Sequence, residues 1–268
     1  VQIITMPKMK KSELEKAVPF EAENYIPLSI EKAYIDFQAV RSREGKTEVL
    51  ISAITRETAD SYFQCLKRAG LDPVAFEVES QSIARAVVED KESPLFVVDF
   101  GKSSTSFIIH SQSSVRFTSS ASVCSKNLTE AIADKLKLEE EKAEKLKIKY
   151  GLGGGSRSKE SKKIFEAITP VLKELVEQIE KYKNYYKTHS EDSIPDVKKV
   201  LLCGRGGNLK GLPEFLSSEI KLSVTRANPW VNILPKPLKE IPELSYHDSL
   251  GYTTALGLAL RGVKREYD

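Results

Sequence analysis

Asp99-Phe100-Gly101 closes an apolar run and opens onto Lys102-Ser103-Ser104-Thr105, a dense grouping of residues able to do chemistry. A strand that ends in Asp-x-Gly and turns into a hydroxyl-rich hairpin offers backbone amides and hydroxyls to a phosphate. The Asp99 carboxylate could hold a hydrated Mg2+, an ion that favours oxygen ligands and keeps waters. The same residues also describe an ordinary Asp-Gly hairpin turn. Gly101-Lys102-Ser103 looks like the tail of a P-loop, but that motif needs a glycine where Phe96 stands, so it is rejected. A second cluster, Gly204, Gly206 and Gly207, follows the buried-type run Val200-Leu201-Leu202. It would let backbone approach a ligand ahead of an anion-favouring helix N-terminus, or simply make a tight strand-to-helix turn. Glu144 and Lys147 fall on one helical face, where they could bond a ribose or base together or form a solvated ion pair.

Other chemistries are excluded by type and spacing. His110, His189 and His247 are isolated, and no Ser/His/Asp or Cys/His arrangement suggests a nucleophile. Cys65, Cys124 and Cys203 form no C-x-x-C pair, which argues against a zinc knuckle or a disulfide framework and fits a reducing, cytosolic setting. The chain carries 41 Lys+Arg against 38 Asp+Glu, a net charge of +3 with both signs interspersed, and so lacks the one-sided basic surface that nucleic-acid binding requires. No apolar window approaches the roughly 18–20 residues of a membrane span, and a membrane role is expected to be peripheral. With 268 residues, 40% of them hydrophobic, the chain can fill the core of one large or two modest domains. It opens on Val1-Gln2-Ile3-Ile4 without a start Met, which reads as a cut through a larger protein.

The elements that must position these groups are legible from period and punctuation. Ser12 with Glu15 is a capping box for a helix carrying Leu14, Val18 and Ala22. Ala33/Ile35/Phe37 and Val49/Ile51/Ala53 alternate as a hairpin about Glu44-Gly45, and a helix from about Thr58 ends at Gly70. Residues 74–78 are expected as a strand and 80–88 as a helix. Residues 95–99, 105–110 and 115–118 read as strands, the later ones an antiparallel meander. Helices are expected at 127–136 and 139–149, a mobile Gly/Ser-rich loop at 153–161, and a long amphipathic helix from Ile164 to Tyr186 that Pro170 kinks or restarts. A strand at 200–202 empties into the glycine cluster, a helix follows from about Leu212, the proline-bearing stretch after Val224 is irregular, and an apolar helix covers 250–263.

The order of these features resembles the actin-like ATPases, and specifically the PilM family of type IV pilus assembly proteins, relatives of the cell-division protein FtsA. The resemblance rests on Glu23-Asn24-Tyr25-Ile26-Pro27, Arg68-Ala69-Gly70-Leu71, residues 99–105, Ala143-Glu144-Lys145-Leu146-Lys147, residues 204–212, Asn228-Pro229 and residues 257–262. It implies an α/β, actin/Hsp70-like (ribonuclease H-like) two-lobe fold with the front of lobe one missing. Residues 1–72 would be a small inserted subdomain, 73–94 the remainder of lobe one, 95–244 lobe two with a helical cap at about 120–196, and 245–268 a C-terminal helix returning to lobe one.

The resemblance further implies ATP with Mg2+ between the lobes of the full-length protein, bound weakly or not at all by this chain alone. Asp99 and Gly101 would form the second phosphate loop lined by Ser103, Ser104 and Thr105, with Asp99 serving the metal through water. Glu144 and Lys147 would face ribose and adenine, Gly204, Gly206 and Gly207 would form the adenosine loop, and Gly257 the second interdomain connection. Arg205 within that loop, and Cys124-Ser125 where a Gly-Gly pair is usual, depart from the family pattern, and the first phosphate loop is absent. The implied role is a cytoplasmic platform beneath the inner membrane that holds the cytoplasmic N-terminal peptide of PilN, meets other pilus assembly proteins, and reaches the membrane only through partners; self-association is open. No residue stands out as a base for hydrolysis, so a working ATPase, a nucleotide-independent scaffold and an FtsA-like membrane tether remain alternatives. Val231-Asn232-Ile233-Leu234-Pro235 resembles the PilN peptide itself, and either packs at home or docks beside the Ile30–Phe37 strand of another molecule.

Overall fold

Strand alternation decides where the chemistry sits. In Leu95–Phe100 the side chains of Phe96, Val98 and Phe100 take one face, while Val97 and Asp99 take the other. A computed structural model describes residues 1–26, 28–89, 93–153, 158–189, 196–234, 237 and 241–264, which divide into two compact units, Val1–Val78 and Glu79–Asp268.

The first unit contains β1 (Gln2–Pro7), α1 (Lys11–Ala22), β2 (Ala33–Arg43), β3 (Lys46–Thr55) and α2 (Arg56–Arg68). The strands form an antiparallel sheet in the order β1-β3-β2, and the expected hairpin turns at Glu44-Gly45, both at positive φ. Leu14, Val18 and Ala22 of α1 pack on Ile4, Met6, Val49 and Ile51. The Thr55 hydroxyl accepts from the Thr58 amide and caps α2. Residues 71–78 take no regular structure, so the strand expected at 74–78 is not formed: Val74 and Phe76 are exposed, and the run pairs with no strand among the described residues.

The second unit runs α3 (Glu79–Val87), β4 (Leu95–Phe100), β5 (Thr105–Ser111), β6 (Ser114–Ala121), α4 (Ser125–Leu136), α5 (Glu140–Tyr150), α6 (Lys159–His189), β7 (Lys199–Cys203), α7 (Leu212–Ile220), β8 (Ser223–Arg226), α8 (Tyr246–Ser249) and α9 (Thr253–Lys264). Its sheet has the order β6-β5-β4-β7-β8, antiparallel from β4 through β6 and parallel from β4 through β8. One face is covered by α4 to α7, whose Leu128, Ile132, Ile168, Leu172 and Leu216 meet Phe96, Phe100 and Phe107. On the other face Ile83, Ala86 and Val87 of α3 cover Val97, Ile108 and Leu201. Helix α6 runs unbroken through Pro170, so the proline does not restart it as a second element. The loop expected at 153–161 ends before Lys159, and its residues 154–157 lie outside the described residues. Strand β8 was not expected from sequence, and α9 starts at Thr253 because Leu250–Tyr252 is a tight 3-10 turn.

Candidate functional site

The parallel pairing of β4 with β7 puts Asp99 beside Cys203 at the carboxyl ends of the two central strands, on the face covered by α3. Open α/β sheets bind ligands at this end. Burial, then the Glu79 carboxylate, raise the Asp99 carboxyl from 3.8 to about 6, against the lowering effect of a hydrogen bond with Cys203. Burial, then the charge and hydrogen bond of Asp99 and more weakly Glu79, push the Cys203 thiol well above its usual range. Glu79 opens α3; its oxygens lie 3.5 Å from Ser106 Oγ, opposite Asp99 in register, and 3.3 Å from Thr254 Oγ1 on α9. Sequence reasoning missed Glu79, which no motif joins to Asp99.

Beyond Asp99 the chain turns sharply. The Gly101 amide donates to the Ser104 carbonyl at 3.1 Å, leaving Lys102, Ser103 and Ser104 exposed. Thr105 is buried instead, its hydroxyl donating to the Val123 carbonyl at 2.5 Å. Gly204 has φ +74, and a Cβ on it would stand 2.5 Å from Asp99 Oδ1, so only glycine brings this backbone so near the carboxylate. A Cβ on Gly206 would strike the Phe100 ring, whereas Gly207 has ordinary space. The Arg205 side chain lies against Gly251, with the guanidinium carbon 5.9 Å from the Tyr252 ring centroid.

Glu144 and Lys147 do share a face of α5, paired at 2.7 Å, but they are not equivalent. Glu144 is half-buried. Burial works to raise its pKa, yet hydrogen bonds from Lys147 and Thr129 and the charges of Lys147 and Lys102 hold it below the usual value. Lys147 is only 6% exposed and turned inward, bonded to Ser125 and Thr129 of α4. The end of α5 meets the glycine loop where the Leu152 amide donates to the Lys210 carbonyl at 2.8 Å. Gly257 lies elsewhere, where α9 crosses α3; any Cβ there would fall inside the Ser82 carbonyl. The structure thus gathers Asp99, Gly101, Ser103, Ser104, Gly204 and Gly206 at the strand ends and sets Glu144 beside them through α4. It uses Thr105 and Lys147 internally and places Gly257 in a helix crossing.

Residues 231–234 belong to their own unit. The Asn232 amide donates to the carbonyls of Arg85, Ala86 and Val88 at 2.9–3.3 Å and closes the C-terminus of α3. Among the described residues, no helix is long and apolar enough to cross a membrane, and no group of three or more His, Cys, Asp or Glu could hold a metal ion.

The family model described as type IV pilus assembly protein PilM matches residues 1–263. A solved PilM-PilN type IV pilus biogenesis complex is 29% identical with a TM-score of 0.78, covering 98% of this chain and 76% of that one. The ethanolamine utilization protein EutJ from Carboxydothermus hydrogenoformans is 20% identical, with a TM-score of 0.55 over 77% of this chain and 62% of that one. MreB5 of Spiroplasma citri bound to ADP is 12% identical, with a TM-score of 0.61 over 80% and 68%. The last two speak to fold alone, which is the actin-like α/β fold.

Proposed function

The chain belongs to the PilM family of type IV pilus assembly proteins, and from that premise we propose that it is an actin-like platform that holds an adenine nucleotide at the ends of β4 and β7 and engages the tail of PilN. The observation that carries the nucleotide reading is Asp99, a carboxylate raised to about 6, approached by Gly204 backbone on one side and followed by an exposed hydroxyl loop on the other. Two nearby carboxylates, Asp99 and Glu79, are too few for an all-protein cation cage, but they suit Mg2+, which completes its sphere with waters and phosphate oxygens. Bound there, the ion would neutralise phosphate charge. Asp99 would hold it through water, residues 101–104 would meet the phosphates with amides and hydroxyls, Gly204 and Gly206 would admit the adenosine, and Glu144 would accept from the ribose hydroxyls. Glu79, exposed and next to Asp99, supplies the carboxylate that could orient a water for slow hydrolysis.

The PilN reading is supported by the family and by the PilM-PilN complex that the chain resembles over 98% of its length. Membrane association would then come through PilN, and the protein would work at the cytoplasmic side of the inner membrane. Titrating the protein with ADP and ATP, with and without Mg2+, and separately with a synthetic PilN tail tests both halves. Mg2+-dependent nucleotide binding lost in Asp99→Asn is the expected result. Binding of the PilN tail with no nucleotide binding under any condition would replace the nucleotide reading with that of a nucleotide-independent scaffold.

A further inference from the structure

Lys147 has more acceptors than it has protons to give. An ammonium carries three N–H donors. Around Lys147 Nζ stand Glu144 Oε2 at 2.7 Å, Ser125 Oγ at 2.9 Å, Thr129 Oγ1 at 2.9 Å and the Ser125 carbonyl at 3.0 Å. With its donors occupied and its side chain buried, it has nothing to offer a nucleoside.

What it does hold is the first turn of α4. Helix N-termini usually leave their first amides free for an anion. In this chain the Ser125 amide donates to the Gly101 carbonyl at 3.0 Å and the Lys126 amide to the Lys102 carbonyl at 3.1 Å. Residues 101 and 102 are therefore hung from α4 by their carbonyls, and Ser125 is the residue that joins this loop to Lys147. Glu144 completes the chain of contacts, since its Oε2 takes both the Lys147 ammonium and the Thr129 hydroxyl, the latter at 2.5 Å. A glycine at 125 would lack the hydroxyl that Lys147 uses.

We propose that Lys147 is a positioning residue: through Ser125 it fixes the loop at 101–104, so that the carboxylate facing the sugar and the loop facing the phosphates move as one body. The inference rests on the nucleotide reading above and deepens it, because it separates the residues that touch ligand from the one that sets their spacing. A ligand residue and a positioning residue leave different signatures. Removing a contact to the nucleoside weakens adenosine and ADP alike, whereas releasing the loop weakens only the ligand that carries phosphates.

The test compares adenosine and ADP, each with Mg2+, by ligand-observed NMR on the full chain. Lys147→Met is expected to weaken ADP about tenfold, the size of one misaligned charge-assisted bond, and adenosine by less than about twofold, because the Thr129 hydroxyl still holds Glu144 when the ammonium is gone. Ser125→Ala, which keeps the ammonium and the fold, is expected to show the same selectivity at smaller size, and the double variant to be no worse than Lys147→Met. Equal losses for adenosine and ADP would overturn the proposal and make Lys147 a ligand. Unchanged ADP binding in Ser125→Ala, or additive losses in the double variant, would overturn it as well. A wild-type chain that binds neither probe overturns the nucleotide reading itself, and that result is seen before any variant is made.

Discussion

Replacing Asp99 by asparagine removes a charge while keeping the shape of the side chain, and the consequence can be worked out beforehand. In the folded chain burial and Glu79 raise its pKa from 3.8 to about 6. At about 1.4 kcal/mol per pH unit that interval amounts to about 3 kcal/mol, which screening through its open edge reduces to about 1.5–3 kcal/mol. The folded state binds the extra proton, so this group's contribution is best below pH 3.8, falls as pH rises toward about 6, and is constant above that. Asp99→Asn escapes the penalty. Urea unfolding of the two proteins should give stabilities within about 0.6 kcal/mol of each other near pH 4, converging below it, and a variant about 1.5–3 kcal/mol more stable near pH 7.5. Mg2+ with ADP should then narrow the difference by stabilising the wild type selectively. A variant less stable by about 0.5–2 kcal/mol at both pH values would refute the reasoning, because that is the behaviour of a carboxylate that merely caps a turn.

Gly257→Ala should destabilise the chain by about 1–3 kcal/mol in thermal melts, since its Cβ meets main chain. Gly262→Ala in the same helix has nothing within 4 Å and should gain up to about 1 kcal/mol; equal effects of the two would sink the crossing argument. Asn232→Ala withdraws a donor from three carbonyls at the end of α3 and should cost about 1–2 kcal/mol in urea unfolding, with faster hydrogen exchange confined first to α3. Asp72→Asn breaks an exposed pair with Lys67 and should stay within about 0.5 kcal/mol of wild type.

Much of the fold was legible because its signals are local. The period-2 runs of β2 and β3, the apolar run of β4, the turn at Glu44-Gly45 and the stripe of α6 each announce themselves within a dozen residues. Residues 74–78 have a strand's composition but no ladder to join, and pairing is a property of the partner as much as of the run. Ser223–Arg226 is the converse: a short, mixed segment made into a strand by its register with β7. Within the site, Asp99 and the glycines were readable because an Asp-x-Gly turn and a strand-to-glycine exit carry their chemistry in sequence. The spacing of Glu144 and Lys147 gave their shared face, but not that Lys147 would turn inward, which depends on acceptors of α4 roughly twenty residues upstream. Glu79 could not be found at all, because its place beside Asp99 depends on how α3 is laid over the sheet.

The crossing of Gly257 over Ser82 bears on how such a chain can drift in sequence. The obstacle to a side chain at 257 is a main-chain carbonyl, and every residue at 82 has one, so no replacement at 82 makes room. Accommodation requires sliding α3 along α9. That slide is opposed at one end of α3 by Thr254 against Glu79, and at the other by Asn232 on the last carbonyls. A larger residue at 257 is therefore reachable only after several separate ties have been loosened, each step harmful by itself. Descendants of this sequence should be free to vary all around the helix pair while the glycine stays, held there by the geometry of two backbones rather than by any chemistry of its own.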